Sequence, residues 1–118
     1  MQLSKFTSSS LDIISIYRSQ SGSYNDLNRY IETMDIEGRP LLVIGDLNFC
    51  FISSGTNPTK EFLRRKEFSQ IIHEPTHIEG HVLDQAYLRD CTHTLTWTVD
   101  IQSKYCTDHK GLAIIIKK

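Results

Sequence analysis

The feature that most constrains this chain is the run Leu41-Leu42-Val43-Ile44, apolar at every position and bounded on both sides by chain breakers. Gly38-Arg39-Pro40 precedes it, and Gly45-Asp46-Leu47-Asn48 follows it. A strand of alternating polarity keeps one wet face, whereas a continuously apolar one must be covered on both. This run therefore predicts a central strand with a layer on each side. Polar groups that follow such a strand are carried to its end, where α/β proteins gather their chemistry.

The rest of the chain supplies the layers. Leu11–Arg18 is isoleucine-rich and alternates, which predicts a strand ending before Gly22. From Tyr24 to about Ile36, the apolar residues Leu27, Ile31 and Met34 recur at helical spacing, with Ser23 or Asn25 available as the cap. Asn57-Pro58 opens a second helix running to about Arg65, with proline at the first position, where its missing N–H costs nothing. Phe68–His73, Val82–Leu88, Thr94–Ile101 and Gly111–Lys117 read as further strands, separated by a turn at Glu74–Gly80 and a polar stretch at Gln102–Lys110. Met1–Ser10 is polar and serine-rich and reads as a disordered or linker N-terminus, leaving residues 11–118 as one domain. The expectation is an α/β (α+β) fold of about six strands with two helices.

Composition narrows the function classes. With 118 residues there is room for one small core and one site. A formal charge of −1 and a pI near 6.5 give no basic surplus, so any contact with nucleic acid needs a local patch or a metal. Lys60, Arg64, Arg65 and Lys66 form one basic cluster, better read as a solvated helix face than as a phosphate contact. Cys50, Cys91 and Cys106 are odd in number and no secretory signal is evident, which predicts reduced thiols and an intracellular setting, nuclear or cytoplasmic. No apolar run is long enough to cross a bilayer, so no membrane partner is expected.

Three polar clusters fall at predicted strand ends: Gly45-Asp46-Leu47-Asn48, Leu83-Asp84-Gln85 and Thr107-Asp108-His109. Taken singly, each reads as an ordinary turn or cap, and Tyr17 as an ordinary strand aromatic. Taken together, with Ile16-Tyr17-Arg18 upstream and Glu74-Pro75-Thr76-His77-Ile78 between, their order resembles the later motifs of the endonuclease/exonuclease/phosphatase family. That family includes DNase I, apurinic-site endonucleases and the endonucleases of LINE-type retrotransposons, and the last are closest in style. The resemblance runs from Leu11 to Lys117 and implies the C-terminal half of a DNase I-like four-layer β-sandwich.

The resemblance also implies a chemistry: phosphodiester cleavage, with DNA as the substrate and Mg²⁺ or Mn²⁺ as the cofactor. Such cleavage needs charge neutralisation, an activated water and donors to the phosphate oxygens. By resemblance, Asp46 handles the water or the leaving group and stands near the metal with Asp108. Asn48, His109 and Tyr17 donate to phosphate oxygens, and Asp84 fixes the His109 tautomer.

The family pattern is also incomplete. Leu83-Asp84-Gln85 stands where relatives often have L-D-H, and Thr107 stands where they have serine. The first half's metal-ligating glutamate has no counterpart, since Glu32, Glu37 and Glu74 lie in other contexts. These departures imply weak metal binding, little or no activity from the chain alone, and assembly as a homodimer or with a complementing N-terminal half through an apolar sheet face. The alternative function is a non-catalytic remnant serving as an interaction or nucleic-acid-binding module. A more distant one is structural zinc on Cys91, His93, Cys106 and His109, a suitable ligand count in a spacing that fits no standard pattern.

Overall fold

The structure, a computed structural model, describes residues 1–49, 57–73, 80, 84–105 and 110–117. Its elements run β1 (Gln2–Thr7), β2 (Asp12–Tyr17), α1 (Tyr24–Met34), β3 (Leu41–Asp46), α2 (Pro58–Arg65), β4 (Ser69–Gln70), β5 (Asp84–Arg89), β6 (Thr96–Tyr105) and β7 (Lys110–Lys117). Five strands form one sheet in the order β1-β2-β3-β5-β4, and β6 pairs with β7 in a second. The apolar run of β3 lies in the middle of the larger sheet, parallel to β2 and antiparallel to β5. Among the described residues, no helix is long and apolar enough to cross a membrane.

Alternation along the strands splits the core in two. Ile14 and Ile16 of β2, Leu41 and Val43 of β3 and Tyr87 of β5 point to one face, where they pack with Leu27 and Ile31 of α1 and Phe62 and Leu63 of α2. Leu42, Ala86 and Leu88 point to the other face and join Ile71, Ile72 and Leu95, against which Val99, Ile101, Ile114 and Ile116 of the β6–β7 pair are packed. The result is a helical layer, a sheet, and two strands of a second sheet. This is the α+β fold expected, with seven strands among the described residues rather than about six.

Both helices begin as their sequences predict. Ser23 caps α1, its hydroxyl accepting from the Asp26 N–H at 3.2 Å. Asn57 Oδ1 caps α2, accepting from Thr59 N–H at 2.9 Å and Lys60 N–H at 3.1 Å. The helices are joined where Thr59, fully buried, donates its hydroxyl to Asn28 Oδ1 at 2.8 Å.

The expected disordered N-terminus is instead the edge strand β1, antiparallel to β2. Its serine tract forms the turn: Ser8 N–H donates to the Leu11 carbonyl at 2.9 Å, and Leu11 N–H to Ser8 Oγ at 3.0 Å. Lys5 reaches over α1 to the Met34 carbonyl at 2.9 Å and lies 3.8 Å from Asp12. Asp12, only 1% exposed, also pairs with Arg39 at 3.0 Å. Deleting one member of a buried pair commonly costs about 3–5 kcal/mol, but Arg39 and Lys5 are partly exposed and can rehydrate. Asp12→Ala is expected to cost about 2 kcal/mol. A urea-denaturation midpoint unchanged by Asp12→Ala would show that this pair does not anchor the β1–β2 edge.

Candidate active site

Strand register assembles the site. Tyr17 is opposite Asp46 across the β2–β3 pairing, and Asp46 is opposite Asp84 across β3–β5. These three residues, together with Gln2 of β1 opposite Tyr17, form one row across four strands on the face turned away from the helices. The next row is Ser4, Ser15, Ile44 and Ala86, and the one after that Phe6, Ile13, Leu42 and Leu88. Polarity thus rises along the sheet towards the row that holds both carboxylates. Asp46 and Asp84 are half-buried, and Tyr17 is 48% exposed.

Asn48 stands just beyond Asp46 in a left-handed conformation, φ 53°, which asparagine tolerates better than most residues. Its backbone N–H donates to Asp46 Oδ1 at 3.0 Å and aims that carboxylate. Its side-chain Nδ2 donates to the Arg18 carbonyl at 2.5 Å, so part of the amide expected to meet a phosphate oxygen is used in holding the loop. Positioning of Asp46 by Asn48 therefore runs through the backbone.

Two buried side chains that sequence reasoning passed over support this loop. Arg18 is 2% exposed, and its guanidinium donates to the carbonyls of Leu47 at 2.6 Å and Asn48 at 3.0 Å. Gln85, fully buried on the helix side of β5, donates Nε2 to the Phe49 carbonyl at 2.5 Å and accepts from the Tyr87 hydroxyl at 2.5 Å. Burial pushes the Tyr87 phenol well above its ordinary range. Because neighbouring residues on a strand face opposite ways, Gln85 lies outside the Tyr17–Asp46–Asp84 row. A glutamine in the place of histidine there leaves the row intact. The available signal was a polar residue at a core-facing position of an otherwise apolar strand.

Thr107, Asp108, His109, Cys50 and Cys106 lie outside the described residues, as do His77 and His81. β6 itself shows a direction. Trp97 lines a cleft with Leu88 and Asp90, while Val99 to Ile101 line one with Ile71 and His73. Ile71 N–H donates to the Ala86 carbonyl at 2.9 Å. β6 therefore runs from the Leu88 end of β5 towards its Asp84 end. Among the described residues, no group of three or more His, Cys, Asp or Glu side chains is gathered as for a metal, and Cys91 is an exposed free thiol. In the basic cluster, Arg64 pairs with Glu61 at 2.8 Å and Lys66 with Glu32 at 3.4 Å, which suits a solvated helix face.

The layers and their connectivity match a DNase I-like fold. The structure is similar to cytolethal distending toxin from Actinobacillus actinomycetemcomitans, with a TM-score of 0.68 and 18% identity over 96% of this chain and 52% of that one. It is similar to the toxin of Haemophilus ducreyi, with a TM-score of 0.64 and 18% identity over 98% of this chain and 52% of that one. Human Nocturnin's catalytic domain, solved with a bound sulfate anion, gives a TM-score of 0.56 and 16% identity over 90% of this chain and 45% of that domain. The chain spans about half the length of these structures. No family model and no curated protein matches the sequence.

Proposed function

We propose that this chain is the C-terminal half of a Mg²⁺-dependent phosphodiesterase of endonuclease type acting on DNA, weakly active or inactive until a second half completes it. The observation that carries the reading is the cross-strand row of Tyr17, Asp46 and Asp84, with the Asn48 loop fixed beside it. The donors in this row are hard oxygens, the kind that Mg²⁺ or Mn²⁺ takes, and Asp46 with Asp108 would hold the ion. The ion would supply charge stabilisation at the phosphate. Asp46, aimed by the Asn48 N–H, orients or deprotonates the attacking water or protonates the leaving oxygen. Tyr17 and His109 donate to phosphate oxygens, and Asp84 holds the His109 tautomer. The retrotransposon likeness of the motifs and an intracellular setting belong to the same reading.

What supports a complementing half is coverage. The β6–β7 layer covers the β3–β5 part of the larger sheet, while Phe6, Ser15 and Tyr17 on the β1–β2 part are exposed. The outward face of β6–β7 is more polar than the apolar contact face expected from sequence: Thr96, Thr98, Asp100 and Lys117 accompany Ala113 and Ile115 there. The demand for a partner comes instead from the strand edges. A two-stranded sheet is marginal by itself, and additional strands beside it would also cover β1–β2.

Nicking of supercoiled plasmid in Mg²⁺ tests the proposal. The chain alone should stay near background, and a polypeptide supplying the N-terminal half of a DNase I-like fold should raise the rate about 100-fold or more. Strong cleavage by the chain alone, insensitive to Asp46→Ala, would place the site elsewhere. No cleavage in the completed assembly would favour the non-catalytic interaction module.

A further inference from the structure

We infer that Arg18 is a positioning residue for the Asp46–Asn48 loop, fixing the geometry of the proposed cleavage site from beneath without touching the substrate. The inference rests on the phosphodiesterase reading for its consequence in catalysis, and on geometry alone for its structural content.

Arg18 meets the loop through its backbone and its side chain at once. Its N–H donates to the Asp46 carbonyl at 3.0 Å, and its own carbonyl accepts from Asn48 Nδ2 at 2.5 Å. Its guanidinium collects the carbonyls of Leu47 and Asn48 on one side and that of Gly22 at 2.7 Å on the other, with the Tyr24 hydroxyl at 3.2 Å. The guanidinium carbon lies 4.3 Å from the centre of the Tyr24 ring and 6.0 Å from that of Phe49, so the fork packs against aromatic rings as well as being bonded. These partners are carbonyl oxygens, a phenol and rings, all neutral. Burying a cation among neutral groups is costly, and an apolar side chain would fill the volume at lower cost. What only a planar fork of several donors can do is hold two consecutive carbonyls of a left-handed turn while gripping the start of α1. The conformation so held is the one in which the Asn48 N–H aims Asp46.

The two directions of bonding make this a closed arrangement. Asn48 needs the Arg18 carbonyl for its side chain, and Arg18 needs the Asn48 carbonyl for its fork. Loosening either frees the other, and the Asp46 carboxylate then loses the hydrogen bond from the Asn48 N–H. A misplacement of about 1 Å is enough to cost about 100-fold in rate where chemistry depends on alignment.

The test uses Arg18→Met, which keeps an unbranched stem over Tyr24 and Phe49 but removes the fork, and Arg18→Lys, which keeps a single cationic donor. Nuclear magnetic resonance of the full chain should show the Asn48 backbone and side-chain amides exchanging about tenfold faster or more in Arg18→Met, with Val43 and Ile14 still protected. Arg18→Lys should fall between. In the completed nuclease, kcat should drop about 100-fold with KM within about twofold, since binding of the phosphodiester is left in place. Unchanged Asn48 signals in Arg18→Met would overturn the inference. So would loss of core protection in both variants, which would make Arg18 a residue of global stability. If the wild-type assembly does not cleave DNA, the proposed function fails and the exchange measurement alone decides the role of Arg18.

Discussion

If the proposed nuclease reading holds, Asp46→Asn in the completed assembly is expected to lower plasmid nicking by a factor of about 100 to 10,000, the range that a positioned proton-transfer group supplies, while leaving the fold intact. Asparagine keeps an oxygen where Asp46 Oδ1 accepts the Asn48 N–H at 3.0 Å, so the turn loses no acceptor. It also removes one of two carboxylates that face each other across β3 and β5, a cross-strand effect of a fraction of a kcal/mol. Neither effect on stability is large, so the free energy of unfolding should change by less than about 1 kcal/mol. The effect on chemistry is larger because a neutral amide neither takes the proton of the attacking water nor balances a divalent cation. Plasmid-nicking rates and urea denaturation on the same preparation separate the two. A variant that still cuts at the wild-type rate would remove Asp46 from the mechanism, and one that unfolds would show that its role is structural.

How much of this was legible in the sequence depends on whether the side chain or the backbone carried the information. The Leu41–Ile44 run and the helical stripe of Leu27 and Ile31 are patterns of burial, and they appear where expected. The strand expected at Phe68–His73 shrinks to Ser69–Gln70, because neighbouring groups take its bonds. Phe68 N–H donates back to the Leu63 carbonyl at 3.0 Å, and Gln70 Oε1 accepts the N–H groups of Ile72 at 3.1 Å and Ala86 at 3.0 Å. A side-chain amide thus replaces a stretch of ladder, which no periodicity reveals. β1 was missed for a related reason. Leu3 faces the helices with Lys5 while Phe6 faces outward, so an edge strand carries no clean alternation.

The site divides in the same way. Motif spacing brought Tyr17, Asp46 and Asp84 to attention, and strand register sets them in one row. The supports of that row, Arg18 and Gln85, look in sequence like a strand-end charge and a conservative departure. Their roles depend on which carbonyls a turn leaves open, and that becomes visible only once the backbone is folded.

Gly45→Ala is expected to be the most destabilising glycine-to-alanine change among the described residues, costing about 4 kcal/mol or more. Gly45 is paired with Ile16 on one side and Gln85 on the other, and its φ is +149°. A Cβ built there would lie 1.8 Å from the Ile16 carbonyl oxygen, 2.8 Å from its carbonyl carbon and 3.0 Å from its nitrogen. Those atoms are backbone of the neighbouring strand, so no side-chain rotation relieves the contact, and β2 must part from β3 next to the Tyr17–Asp46–Asp84 row. Gly38 provides the control. It too has a positive φ, +83°, but a Cβ there would meet nothing within 4 Å, so Gly38→Ala should show only the backbone penalty of about 1–2 kcal/mol. Urea denaturation followed by circular dichroism separates the two costs. If the variants are equally stable, the close approach of β2 and β3 at Gly45 is not real. If Gly45→Ala folds but is much weakened, its Asn48 amide should exchange faster than that of Gly38→Ala, because the displaced strand carries Arg18 at its end and with it the bonds that hold the loop.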